Sequence, residues 1–122
     1  PVRASGLPAD ASRHDFRALA VSGGGLVVGS LTGEVAAFDL PTERARWRVV
    51  PSMTSVAFAM TAERGVVYVP FMSGEIVAID AATGRERWRL GGGDRPFRWP
   101  PLIVGHRLYA ASSTAGLFAF AL

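Results

Sequence analysis

Two stretches of this chain are versions of one another, and their spacing limits the fold more tightly than any other feature of the sequence. LTGEVAAFDLPTERARWRVV (31–50) and FMSGEIVAIDAATGRERWRL (71–90) keep Gly33 and Gly74, Asp39 and Asp80, and Trp47 and Trp88, each pair 41 residues apart. A third copy begins at Thr114-Ala115-Gly116-Leu117-Phe118-Ala119-Phe120, with Gly116 42 residues beyond Gly74. Within the middle copy Ser73-Gly74 reads as a turn and Ile76 to Ala81 as a largely buried strand, an apolar run bounded by turn signals. Asp80-Ala81-Ala82-Thr83-Gly84 reads as a second turn, in which the Asp carboxylate accepts from backbone N–H groups and Gly84 supplies a positive φ. In Arg85-Glu86-Arg87-Trp88-Arg89-Leu90, strand alternation assigns Glu86, Trp88 and Leu90 to a packed face and the three arginines to a wet one. The first copy assigns Ala45 and Trp47 to one face and Arg44, Arg46 and Arg48 to the other in the same way.

Upstream of each copy lies a short strand: Gly25–Gly29, Gly65–Val69 and His106–Ala110. Before each of these comes one more apolar segment: Phe16–Val21, Val56–Met60 and Pro101–Val104. Four short strands in about 40 residues is the arithmetic of a propeller blade. The sequence therefore predicts an all-β chain of three four-stranded antiparallel blades of about 41 residues. Residues 16–50 form blade 1, 51–90 blade 2 (51–55 as connector, Ala62-Glu63-Arg64-Gly65 as its first internal turn) and 91–122 blade 3. The third copy stops at Leu122, where its outer strand should begin. Residues 1–15 read either as a flexible lead-in or, through Val2-Arg3-Ala4-Ser5, as an outer strand completing the last blade.

The pattern resembles the PQQ-like, quinoprotein-type β-propeller repeat family, in its non-catalytic scaffold branch. Gly65, Tyr68, Gly74, Ala78, Asp80, Thr83, Gly84 and Trp88 of the middle copy carry the resemblance. The first copy keeps Gly25, Gly33, Ala37, Asp39 and Trp47, has Val28 for the Tyr, and reads Glu43-Arg44 for the Thr-Gly. The third keeps Gly105, Tyr109, Gly116 and Ala119. The resemblance implies that Trp47, Trp88, Asp39, Asp80, Thr83, Gly33, Gly74 and Gly116 are structural, the Trp docking between neighbouring blades. It also leans toward a periplasmic or extracellular setting.

Three blades do not close a ring, because propellers have 4–8. If roughly 500 Å² is bared at each end, about 25 cal/mol/Å² leaves on the order of 10 kcal/mol of burial unrealised there, comparable with the stability of a whole domain. The expectation is a homodimer closing as six blades, the first blade of one copy against the third of the other, or further blades of a longer chain. A single curled barrel-like domain is the alternative.

Side chains with chemical capacity find no constellation. The Arg rows read as charge protecting exposed sheet edges. A net charge of +3, diluted by Glu43, Glu75 and Glu86, argues against nucleic acid. Arg95, Phe97, Arg98 and Trp99 lie in the longest connection and are candidates for partner binding, or one aromatic plugs the gap between blades 2 and 3. His14 and His106 stand apart without a second ligand, so no metal site is expected. Asp39 and Asp80 recur at equivalent turns, which suits turn caps better than acid–base catalysis. Ser22, Ser30, Ser112 and Ser113 have no paired base. There is no Cys, and no acidic cluster of the kind that holds calcium and a quinone in the family's enzymes. No cofactor is expected, and no apolar run reaches the 18 or so residues of a membrane helix. The sequence therefore reads as a non-enzymatic protein-interaction or assembly scaffold. The alternative is a section of a larger enzyme or sensor propeller whose reacting groups lie elsewhere.

Overall fold

The computed structural model describes residues 16–57, 59–91, 97, 99–112 and 116–122. The lead-in at 1–15, with the strand expected at Val2-Arg3-Ala4-Ser5, lies outside the described residues, as do Arg95 and Arg98. The first sheet is β1 (Phe16–Ser22), β2 (Gly25–Ser30), β3 (Val35–Asp39) and β4 (Ala45–Val49). The second is β5 (Thr61–Glu63), β6 (Val66–Pro70), β7 (Glu75–Asp80) and β8 (Glu86–Gly91), and the third β9 (Leu102–Val104), β10 (Arg107–Ser112) and β11 (Gly116–Ala121). Each sheet is antiparallel with its strands in sequential order. Among the described residues, sheets of four, four and three strands make an open, three-blade section of an all-β propeller.

The second blade departs from expectation at its first strand. Val56 makes only an isolated bridge to Phe71, and the strand is β5, at Thr61–Glu63. Ala62 and Glu63 therefore belong to a strand, and the turn is Arg64-Gly65 alone. The physical reason lies at the connector. Val56 N donates to Ser30 O of the first sheet at 3.0 Å, while Ala57 N donates to Pro70 O and Met72 N to Ser55 O, both at 2.8 Å, so the connector touches the second sheet only past the end of β6 and the regular ladder with β6 is made by Thr61–Glu63. Gly33 lies under the same connector with φ +88, and a Cβ there would stand 2.0 Å from Ser52 O. The third sheet keeps the 41-residue register, since Tyr109 pairs Ala119 as Tyr68 pairs Ala78. Gly116 stands opposite Ser112, one step past the place that Gly74 holds in its hairpin.

The middle strands are continuous apolar runs because both of their faces are covered. Val27, Val35 and Ala37 meet Val67, Val69, Val77 and Ile79 in the seam between the first and second sheets. Tyr68, Ile76 and Ala78 meet Leu108, Ala110 and Phe97 in the seam between the second and third. Fully burying one such aliphatic is worth about 1.5–3 kcal/mol, so the seams, not the surface ion pairs at about 0–1 kcal/mol each, hold the blades together. The two outward faces differ. On the first sheet Val28, Ala36 and Phe38 are buried. On the third, Leu102, Val104 and Leu117 are 61%, 56% and 74% exposed.

The outer strands do not follow simple alternation. On β7 the partner of Ala78 is Trp88 and that of Ile79 is Glu86, so Arg87 is the extra residue of a β-bulge. On β3, Ala37 pairs Trp47 and Phe38 pairs Ala45, with Arg46 extra in the same way. Each bulge moves the residue before it to the other side. Glu86 therefore does not share a face with Trp88, nor Ala45 with Trp47, contrary to the reading by period two. A bulge adds one unpaired residue and re-aims its side chain. Here it turns Arg46 and Arg87 toward the aspartate turns.

Candidate functional site

The aspartate turns are built twice on one plan. Asp39 Oδ2 accepts from Thr42 N at 3.2 Å and Thr42 Oγ1 at 2.7 Å, and Oδ1 from Arg46 Nη2 at 2.8 Å. Asp80 Oδ1 accepts from Ala82 N and Oδ2 from Arg87 Nη2, both at 3.0 Å. Glu43 N donates to Asp39 O as Gly84 N donates to Asp80 O. The first copy thus has Thr42-Glu43 where the second has Thr83-Gly84, which corrects the alignment of Thr-Gly with Glu43-Arg44. Glu43 takes φ 59 at the position of Gly84. Both aspartates are held below the ordinary carboxylate range. For Asp39 the main cause is the Thr42 hydroxyl, with Arg46 second. For Asp80 it is the bond from Arg87, with the Ala82 N–H second.

Trp47 crosses from the first blade to the second. Its Nε1 donates to Ala81 O at 2.9 Å. Its ring covers Gly84, where a Cβ would sit 2.6 Å from a ring carbon. Gly84 therefore serves twice, giving φ +78 to the turn and a flat seat to the indole. Trp88 is half-buried in the next seam, its ring 5.8 Å from that of Tyr68. Of the four candidates for partner binding, Phe97 is buried, bridged to Ser112 and edge-on to Phe118 at 6.0 Å. It plugs the gap between the second and third blades and presents nothing to a partner. Trp99 is 52% exposed.

Arg46, Arg48, Arg87 and Arg89 of the Arg rows are paired, which period-two reasoning did not resolve. Arg48 meets Glu34 at 2.6 Å, and Arg89 meets Glu75 at 3.1 Å as well as Glu86. Arg89 also donates to Pro51 O at 3.0 Å and so ties the connector to the second blade. Arg89 lowers the pKa of Glu86.

Sequence reasoning missed two clefts at the blade ends that carry the aspartate turns. One, of about 230 Å³, lies between the first and second blades and is lined by Gly23, Arg46, Gly65, Asp80 and Arg87. The other, of about 200 Å³, lies between the second and third and is lined by Glu63, Arg64, Tyr68, Arg87 and His106. Burial raises the pKa of Tyr68, assisted by Glu63 and opposed by Arg87 and Arg64. The signal was present in the repeat, because adding 41 to Gly23, Arg46 and Gly65 gives Arg64, Arg87 and His106.

Among the described residues no group of three or more His, Cys, Asp or Glu is placed to hold a metal, and the chain has no Cys. Asp39 and Asp80 are engaged by their own turns and arginines. These residues do not fit the calcium and quinone of the family's enzymes. Among the described residues no helix is long and apolar enough to cross a membrane, which leaves crossing by strands untouched.

No curated protein matches the chain. Solved structures resemble it in fold. A europium-containing methanol dehydrogenase superposes with a TM-score of 0.73 at 21% identity, over 87% of this chain and 23% of that one. Sqt1 of Saccharomyces cerevisiae gives 0.74 at 17% identity, over 88% and 31%. The quinohemoprotein alcohol dehydrogenase ADHIIG of Pseudomonas putida HK5 gives 0.74 at 21% identity, over 88% and 19%. The chain thus spans less than a third of the length of these structures. At such identities the likeness speaks for the fold alone. Matched by the family model over residues 31–121, the chain belongs to the PQQ-repeat propeller family described as outer membrane protein assembly factor BamB.

Proposed function

We propose that this chain is a non-enzymatic assembly scaffold, a three-blade propeller section whose outer surfaces bind protein. The observation that carries the reading is the family match over residues 31–121, to a family whose description is that of an assembly factor. The use of the repeat's polar residues supports it. The Asp39 and Asp80 carboxylates and the Trp47 indole are engaged in turns and seams, a structural use of the residues the repeat keeps. The family description also favours a periplasmic or extracellular setting.

The outward face of the third blade, with Leu102, Val104 and Leu117 exposed, is where the section is completed. The occupant is a further blade of a longer chain or a second copy. Light scattering on a size-exclusion column tests self-completion. A mass near two chains is expected, and a soluble monomer at all concentrations rules self-pairing out and leaves further blades of a longer chain. A second reading, a section of an enzyme or sensor propeller, draws only on fold likeness to two dehydrogenases. The flanking gene sequence decides it. Additional repeats bearing acidic calcium ligands favour the enzyme.

A further inference from the structure

The two clefts are one site built twice, and the second copy has changed in one chemical direction. At the first cleft the turn positions are Gly23 and Gly65, and at the second they are Arg64 and His106. The bulged arginine, Arg46 then Arg87, is kept in both. Arg87 lines both clefts and its side chain is 51% exposed. It bonds Asp80 through Nη2 alone, which leaves most of its five N–H donors for a second carboxylate. Arg64 is exposed, is held at φ 52 in its turn, and makes no ion pair among the described residues. Arg85, in the adjacent Asp80–Arg85 turn, makes none either.

The opposite ends of the same blades are arranged differently. There each outer-strand arginine meets a carboxylate beside the β2–β3 or β6–β7 turn, Arg48 with Glu34 and Arg89 with Glu75. Unmatched positive charge thus gathers at the cleft-bearing ends. It is not a continuous basic stripe, because Asp80 and Glu63 interrupt it. Interruptions of that kind repel a polyphosphate backbone, which carries a charge at every step. They suit a chain that offers carboxylates at intervals, with polar or apolar residues between.

We propose that an extended acidic segment of a partner protein lies across the turn-bearing ends of the blades and inserts a carboxylate between Arg64 and Arg87 in the second cleft. The first cleft, with Arg46 and Arg87, is the weaker copy of the same subsite. The proposal rests on the scaffold reading and names the partner's chemistry.

The probe is a short fluorescent peptide alternating glutamate and serine. A lysine–serine peptide and a single-stranded thymidine oligonucleotide serve as comparators, read by anisotropy at low and moderate salt. The glutamate peptide binds and the lysine peptide does not. Amide shifts in the intact chain concentrate at Arg64, Tyr68, Arg87 and His106. Arg64→Glu weakens binding about tenfold with the fold unchanged by circular dichroism. Arg64→Gly, which also removes the positive-φ arginine, weakens it in the same direction. The proposal is overturned if neither peptide binds, if the oligonucleotide binds more tightly than the glutamate peptide, or if Arg64→Glu binds as well as the parent. If the glutamate peptide binds but its shifts fall at Gly33 and Glu34, the scaffold reading stands and the cleft assignment is lost.

Discussion

Trp47 makes two kinds of contact with the neighbouring blade, a hydrogen bond to Ala81 O and a ring face against Gly84. Trp47→Ala is expected to cost about 3–5 kcal/mol in chemical unfolding, as large aromatic truncations in packed sites do. Trp88→Ala is expected to cost less, since Trp88 packs on Tyr68 without a carbonyl at its indole among the described residues. Gly84→Ala tests the same contact from the other side. An added Cβ meets the Trp47 ring at 2.6 Å and also imposes a left-handed residue, for a loss of about 2 kcal/mol or more. Arg87→Ala removes one exposed ion pair and should cost under about 1 kcal/mol. Arg64→Gly relieves a left-handed arginine and should gain about 0.5–1 kcal/mol. That variant separates stability from binding, because it raises the unfolding midpoint while weakening the acidic peptide.

At the scale of elements, the bulges at Arg46 and Arg87 decide where charge goes. They bring each arginine to its aspartate, where the Thr42 hydroxyl with Arg46 holds the Asp39 carboxyl, and Arg87 with the Ala82 N–H holds the Asp80 carboxyl, below the ordinary pKa. A depressed carboxylate contributes stability that is fully present above its unfolded-state value near 4 and is lost as pH falls through the folded-state value. The urea midpoint is therefore expected to be level through neutral pH and to fall below about pH 4. Asp80→Asn should lower the plateau and reduce the acid dependence, and an unchanged acid limb in that variant would show that other carboxylates carry it. The same bulges mark the limit of what could be read from the sequence. Trp47, Trp88, Asp39 and Asp80 were legible because a repeat shows which residues the architecture reuses. The side on which Glu86 and Ala45 lie was not, since one extra residue reverses a period-two reading and leaves no mark in composition. The second blade's first strand was displaced from Val56–Met60 to Thr61–Glu63 because Val56 N is drawn to Ser30 O of the first blade and the connector meets the second sheet only at the end of β6, which overrides local apolarity. The clefts were hidden for a similar reason. Their residues are ordinary turn residues until three blades bring them together.

Across the whole molecule the two outward faces are unequal. The first blade's Val28, Ala36 and Phe38 are buried, while the third blade leaves Leu102, Val104 and Leu117 open. Glu43 adds to that inequality. It occupies the place of Gly84 in the first blade, so a neighbour on that side cannot seat an indole as Trp47 is seated on Gly84. If two copies complete one another, Leu117→Asp should shift the measured mass toward one chain while leaving the circular dichroism of the sheets intact. Trp47 and Trp88 each stand in a different seam, and Trp99 is exposed to solvent. The chain therefore carries its own spectroscopic reporters. With Trp99 as a constant red-shifted background, the emission of Trp47 follows the parting of the first and second blades, and that of Trp88 the parting of the second and third. The order in which the two signals move during unfolding would give the order in which the blades let go.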